Sequence, residues 1–310
     1  MRRDPAAEVV RFGGRTMGTE WSALIAAPSA GLADALTGSL DESIAALSQW
    51  EPASALSRFN RAPLGGWRTL DPILAHVLAA ASAIGQASGG AFDPAAGALS
   101  ELWGFGAGGP RRDVPDQPRI SEALARCGID GIEFDGSRAR RLRSVALDVA
   151  GIGKGHAVDR LAETARAHGC DDFLVEIGGE FVGSGIRLDG QPWWVQLEDP
   201  PLMTLTPLRI AAHGIAVATS GDYRRYIPTG TERLGHTIDP RTGRPITNGV
   251  VSVSVIAADC MTADGWATAL TVLGPEGGLE LATREDLAAR IVTRDGVERL
   301  SPALTAMLAD

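Results

Sequence analysis

The sequence is poor in cysteine, in aromatic residues and in clusters of positive charge, and each shortage removes a class of protein. Its 310 residues hold three cysteines, Cys127, Cys170 and Cys260. Odd in number and far apart, they offer neither a disulfide framework nor a CxxC metal site, and buried, reduced thiols are expected. Aromatics make up only 5% of the chain, so backbone turns rather than ring clusters shape the surface. Lys and Arg number 29 against 38 Asp and Glu, a formal charge of -9. Nucleic-acid backbones are bound by clustered Lys and Arg, so no nucleic-acid partner is expected, and any phosphate ligand must be held locally. No long apolar run follows the opening MRRDPAAEVVRFGGRTMG, so neither a secretory signal nor a membrane span is expected in this chain. As it stands the sequence reads as cytoplasmic, with a leader-trimmed periplasmic protein as the alternative. No internal repeat of roughly 20 to 50 residues is visible, which removes solenoids and propellers.

What is present in excess is glycine, 38 residues against a usual level of roughly 7%, together with enough apolar residues for a well-cored α+β protein. Apolar spacing predicts helices over Asp34–Trp50 (Leu36, Leu40, Ile44, Leu47), Ile73–Ser88 and 155–168, with a further helix starting near Thr262. β-Branched and aromatic content predicts strands at Ala146–Val149, Phe173–Ile177, Trp193–Leu197, Ile215–Thr219, Arg233–Ile238, Val250–Ala257, Ala289–Thr293 and Val297–Leu300, the last two joined by an RDG turn. GAGGPRRDVPDQP, at 106–118, cannot pack a core and is expected to be a surface loop joining two lobes.

Four segments could carry chemistry. In LDVAGIGKGHAVD, from Leu147 to Asp159, glycines at 151, 153 and 155 surround Lys154 between an expected strand and an expected helix. Backbone amides and a helix dipole could bind phosphate there, although a tight turn with an exposed lysine explains the pattern equally. The spacing fits neither a Walker loop nor the dinucleotide GxGxxG, because Asp148 and His156 stand where glycines are needed. In ADGWATALTVLG, Asp264 and Thr268 lie a helical turn apart on one face. A carboxylate and a hydroxyl so placed suit magnesium, which needs few protein oxygens; an acid in a first turn is also favoured by the dipole alone. In HTIDPRTGRP, His236 is the best general-base candidate of five histidines, with Asp239 and Arg241 nearby, though the DPRTG piece is also ordinary turn chemistry. Trp50 and the segment Ala91, Phe92 and Asp93 could sandwich a ring or line a core.

In order along the chain, MGTEWSA, LSQWEPASALSRFN, GGAFDPAAGALSELWGF, LDVAGIGKGHAVD, FLVEIGGEFVGSG, ATSGDYRRY, HTIDPRTGRPI and ADGWATALTVLG resemble the ApbE family of FAD:protein FMN transferases, from Met17 to about Thr293. The resemblance implies an α+β, T-fold related unit of mixed antiparallel sheets and helices. It also implies transfer of the FMN half of FAD to a Thr or Ser hydroxyl of an acceptor protein, with release of AMP. The acceptor threonine would sit in an Asp/Ser-Gly-Ala-Thr-Ser/Thr context. Carried over by position, Met17, Trp50, Ala91, Phe92, Asp93, Asp148 and Lys154 would lie against FAD. Asp264, Thr268 and the carbonyl of Gly151 would hold Mg2+, and His236 would assist the acceptor hydroxyl. The chain departs from the common pattern at Trp50 in place of tyrosine, at Gly153 and His156 in place of alanine and tyrosine, and at Gly265-Trp266 in place of alanine-leucine. His156 adds an ionisable group beside the phosphate loop.

Overall fold

The computed structural model describes residues 8–111, 113–201, 203, 205–222, 226–229 and 232–309, with the backbone alone at 227–229, 232 and 233. Among the described residues an eight-stranded sheet runs in chain order: Val9–Thr16, Thr19–Ala26, Phe173–Ile177, Glu180–Ser184, Ile215–Gly221, Val250–Ala257, Ala288–Thr293 and Glu298–Leu300. Each neighbouring pair is antiparallel. The chain is thus of mixed α+β class, with helices inserted between successive strands.

Side-chain alternation decides which face each helix covers. Ala23, Ile25, Val175, Ile177, Val182, Ala216 and Ala218 join one large core with the helices Leu32–Leu47, Pro72–Ala87, Gly153–Ala167 and Cys260–Arg284. The alternate residues Leu24, Leu174, Phe181, Val217 and Ile256 pack on the other face beneath Trp193, Ile210 and Leu304. Trp193 belongs to a strand, Trp193–Gln196, paired with Arg209–Ala212 as a hairpin; Trp193 is buried and Trp194 exposed, as half-buried alternation requires.

The predicted helix at 155–168 is realised as Gly153–Ala167, and its Ala157, Val158, Leu161, Ala162 and Ala165 are all buried in the large core. Helix Pro72–Ala87 begins behind Asp71, whose carboxylate accepts the Ile73 N–H at 2.9 Å. The helix expected near Thr262 runs from Cys260 to Arg284 with a break at Gly274, where φ of 83° and the following Pro275 interrupt the hydrogen-bond ladder. All three cysteines are free and buried.

Two strand expectations are corrected. The Ala146–Val149 stretch is extended but forms only a single bridge, Ala96 with Ala146. Its partners are not a strand: Asn60 takes both polar groups of Leu147, accepting its N–H at 2.7 Å and donating to its carbonyl at 2.8 Å, and the Asp148 N–H goes to the Pro94 carbonyl at 2.8 Å. The stretch expected as one strand at Arg233–Ile238 is divided between Glu232–Gly235 and Ile238–Asp239, with His236 between them. No described helix is long and apolar enough to cross a membrane.

Candidate active site

The site is assembled where Gly153–Ala167 crosses Cys260–Arg284. Gly155 makes the crossing possible, because a Cβ there would lie 2.6 Å from the Cys260 carbonyl carbon and 2.8 Å from the Asp264 Cβ. The helices are clamped twice. Asp159 accepts the N–H groups of Cys260 and Met261, each at 2.8 Å, and Gly155 N–H donates to Asp264 Oδ2 at 3.0 Å. The first contact caps one helix with a side chain of the other.

Asp264 is 4% exposed, and burial raises its carboxyl pKa above the usual range against the pull of Lys154 and the Gly155 amide. One turn on, Thr268 Oγ1 donates to the Gly151 carbonyl at 3.3 Å and lies 3.3 Å from Ser220 Oγ. A Cβ at Gly151 would meet Thr268 Oγ1 at 2.9 Å and the Phe92 ring at 3.2 Å, so residue 151 sits between the helix hydroxyl and the aromatic segment. Lys154, in the first turn of its helix, ion-pairs with Glu180. Glu180 was not singled out in the sequence although it stands in the FLVEIGGEFVGSG block.

The residues expected to lie against FAD differ in their surroundings. Asp148 Oδ1 caps the Ala150 N–H at 2.9 Å and accepts from Nε2 of Gln49, the residue before Trp50, at 3.5 Å. Trp50 is 51% exposed and so has a ring face to offer, whereas Ala91 and Phe92 are buried. Asp93 is committed to local structure: its oxygens accept the N–H groups of Ala95 and Gly128, both at 2.9 Å, and burial raises its carboxyl pKa. Met17 is a non-glycine residue at φ 47°, in the tight turn between the first two strands. The start of the second strand abuts the Gly178–Gly179 turn, since Gly178 N–H donates to the Glu20 carbonyl at 3.1 Å.

His236 stands beside Phe105, ring centroids 6.2 Å apart and planes at 71°. The following turn is firmly built: Gly243 N–H donates to the Asp239 carbonyl at 2.8 Å, and Trp103 Nε1 donates to the Gly243 carbonyl at 2.9 Å. Asp239 is saturated by Arg241, which donates to it from the backbone and through both arms of the guanidinium, each at 2.9 Å. Arg241 reaches Gly90, bringing this hairpin next to the Ala91–Asp93 segment.

The geometry corrects two further expectations. The turn does not offer a ring of open amides, because Ile152 and Gly153 N–H already donate to the Val149 carbonyl and Gly155 N–H to Asp264. His156 is 5% exposed and lies against His76, and burial lowers its pKa to about 4, so it is a neutral imidazole near pH 7. A separate cleft of about 680 Å3, lined by Glu20, Ser22, Leu24, Leu174, Glu176 and Phe181, opens on the opposite face of the sheet.

Fold and site together define a protein in which two helices crossing on an antiparallel sheet present a lysine, a buried carboxylate and a hydroxyl beside the Phe92 ring. The ApbE family model matches residues 17–291, and the chain belongs to that family. It is 35% identical over 302 residues to the FAD:protein FMN transferase of Escherichia coli K12, covering 94% of this chain and 86% of the relative. The flavinyl transferase ApbE of Pseudomonas stutzeri, solved in its apo form, superposes with a TM-score of 0.90 at 34% identity, covering 98% of each chain. The flavin transferase ApbE of Vibrio cholerae gives 0.89 at 32%, covering 97% of this chain and 99% of that one.

Proposed function

We propose that this protein is a magnesium-dependent FAD:protein FMN transferase that moves FMN from FAD to a Thr or Ser hydroxyl of an acceptor protein and releases AMP. The observation that carries the reading is the convergence of Lys154, Asp264, Thr268 and the Gly151 carbonyl at one helix crossing, with Phe92 against Gly151. The names of its relatives support the flavin transfer itself. The acceptor threonine is expected in an Asp/Ser-Gly-Ala-Thr-Ser/Thr context.

The donor set fits the metal. Asp264 carboxylate, Thr268 hydroxyl and Gly151 carbonyl are all hard oxygens, and Asp264 is fixed by Gly155 N–H. No cluster of three His, Cys, Asp or Glu exists among the described residues, so the ion would rest on these oxygens and complete its shell with water and substrate phosphate. When bound, Mg2+ would neutralise charge on the pyrophosphate and orient it.

In the reaction, the acceptor oxygen forms a bond to the phosphorus nearer riboflavin. The bond from that phosphorus to the bridging oxygen breaks, and AMP leaves with the bridging oxygen. His236 takes the hydroxyl proton, a role needed because a neutral threonine is a poor nucleophile near pH 7. Asp239 is poorly suited to replace it, being neutralised by Arg241. Lys154 faces the charge that grows on the transferring phosphate, while the exposed Trp50 would offer its ring face to the flavin and the buried Phe92 would back the Gly151 turn. Incubation with FAD and Mg2+, with and without acceptor, tests the assignment. AMP should appear stoichiometrically with flavin-labelled acceptor; rapid AMP and free FMN without labelling would make the protein a pyrophosphatase.

A further inference from the structure

Glu180 opens the strand Glu180–Ser184 behind the Gly178–Gly179 turn, whose φ values are 61° and 107°. Strand alternation aims its side chain at the helical face, opposite to Phe181. The side chain is 2% exposed, whereas that of its partner Lys154 is 32% exposed. One carboxylate oxygen takes the Lys154 ammonium, and the other, Oε2, is buried without a hydrogen-bond partner. The Asp264 carboxylate lies close enough for its charge to act on Glu180 as well.

For stability this is a poor arrangement. A buried ion pair is often no better than apolar residues of equal volume, and an unsatisfied buried oxygen adds a desolvation cost. Its asymmetry has a different use: the anion is sealed in the sheet and the cation is left towards the open side. An anion arriving from the open side can therefore reach the lysine, which is 32% exposed, without reaching the carboxylate that anchors it.

We propose that Glu180 is a positioning residue that anchors the Lys154 ammonium in the first turn of its helix, beside Asp264, and so presents it to the pyrophosphate of FAD. The proposal rests on the reading of Lys154 as a phosphate-binding group. Without the anchor, the lysine's flexible stem carries its charge to solvent and the orientation must be recovered on binding.

Affinities for FAD and riboflavin, measured by calorimetry in Mg2+ buffer, separate positioning from structure because riboflavin lacks the phosphates. Glu180→Gln should weaken FAD about tenfold, as loss of one charge-assisted contact does, with riboflavin affinity and melting temperature unchanged. Glu180→Asp, which keeps the charge, should restore part of the loss. In a Lys154→Met background, Glu180→Gln should have no further effect. If Glu180→Gln does not fold, Glu180→Asp and the double variant Lys154→Met/Glu180→Met, an apolar replacement of the pair, carry the same comparison. Unchanged FAD affinity in Glu180→Gln, or an equal loss in both backgrounds, overturns the proposal while leaving the role of Lys154 intact. Wild-type FAD affinity in Lys154→Met would instead refute the phosphate reading, and the anchoring role with it.

Discussion

Replacing Gly155 by alanine is the sharpest test of the helix crossing. The added Cβ would sit 2.6 Å from the Cys260 carbonyl carbon and 2.8 Å from the Asp264 Cβ, and closer still to the Cys260 oxygen. The obstruction is mostly backbone, so no rotamer change relieves it, and the helices must separate by about an ångström to reach ordinary carbon contact distance. That movement also strains the 3.0 Å bond from Gly155 N–H to Asp264. Overpacking typically costs about 1–3 kcal/mol, and the backbone contact puts this case at the upper end, near 3 kcal/mol. For a chain of this size that corresponds to a melting-temperature fall of about 4–6 °C. Gly153→Ala is the internal control, since its Cβ would meet only Val149 and Leu47 side chains at 3.8 and 3.9 Å. It should be neutral or stabilising by about 0.5 kcal/mol through the unfolded chain. Thermal melts and Mg2+-dependent turnover of both variants decide the matter. A Gly155→Ala protein that melts with the wild type, or a Gly153→Ala protein damaged equally, would refute the packing argument.

His156 has its folded pKa depressed to about 4 against an ordinary value of 6.5, so its contribution to stability is present above pH 6.5 and is lost as pH falls towards 4. Between pH 7.5 and 5 the loss should be on the order of 2 kcal/mol, and urea unfolding of His156→Phe should show a correspondingly flatter pH dependence. His236→Ala should lower turnover about 10²–10⁴-fold with FAD affinity little changed; single-turnover flavinylation at near wild-type rate would leave the histidine without a catalytic role. Asp264→Asn should remain folded yet lose about 100-fold or more in turnover at ordinary Mg2+, and a Mg2+ titration that overlays the wild type would place the metal elsewhere.

Much of this architecture was legible because the signals are local. The core face of the Gly153–Ala167 helix follows from apolar residues at helical spacing, and all five named positions are buried. Asp264 and Thr268 share a face for the same reason. What the sequence hid is made by distant pairs. Glu180 meets Lys154 only because the Glu180–Ser184 strand runs beneath that helix, and Asp159 caps Cys260 from 101 residues away. The apolar stretch Ala146–Val149 has the composition of a strand, yet Asn60 supplies the hydrogen bonds that a neighbouring strand would give. Likewise the glycine-rich turn suggested open amides, but the Val149 carbonyl and Asp264 occupy those of Ile152, Gly153 and Gly155. Pattern shows where donors lie; only the fold shows which are already used.

The central claim is that the flavin-side phosphate is the one transferred, and it is tested most directly with FAD isotopically labelled at that phosphorus. After incubation with Mg2+ and an acceptor bearing the Asp/Ser-Gly-Ala-Thr-Ser/Thr segment, the label should reside on the acceptor, together with flavin fluorescence, at the segment's threonine. The released AMP should be unlabelled, and changing the threonine to valine should abolish transfer. Label recovered in free FMN, or an acceptor carrying the adenylyl half instead, would contradict the account.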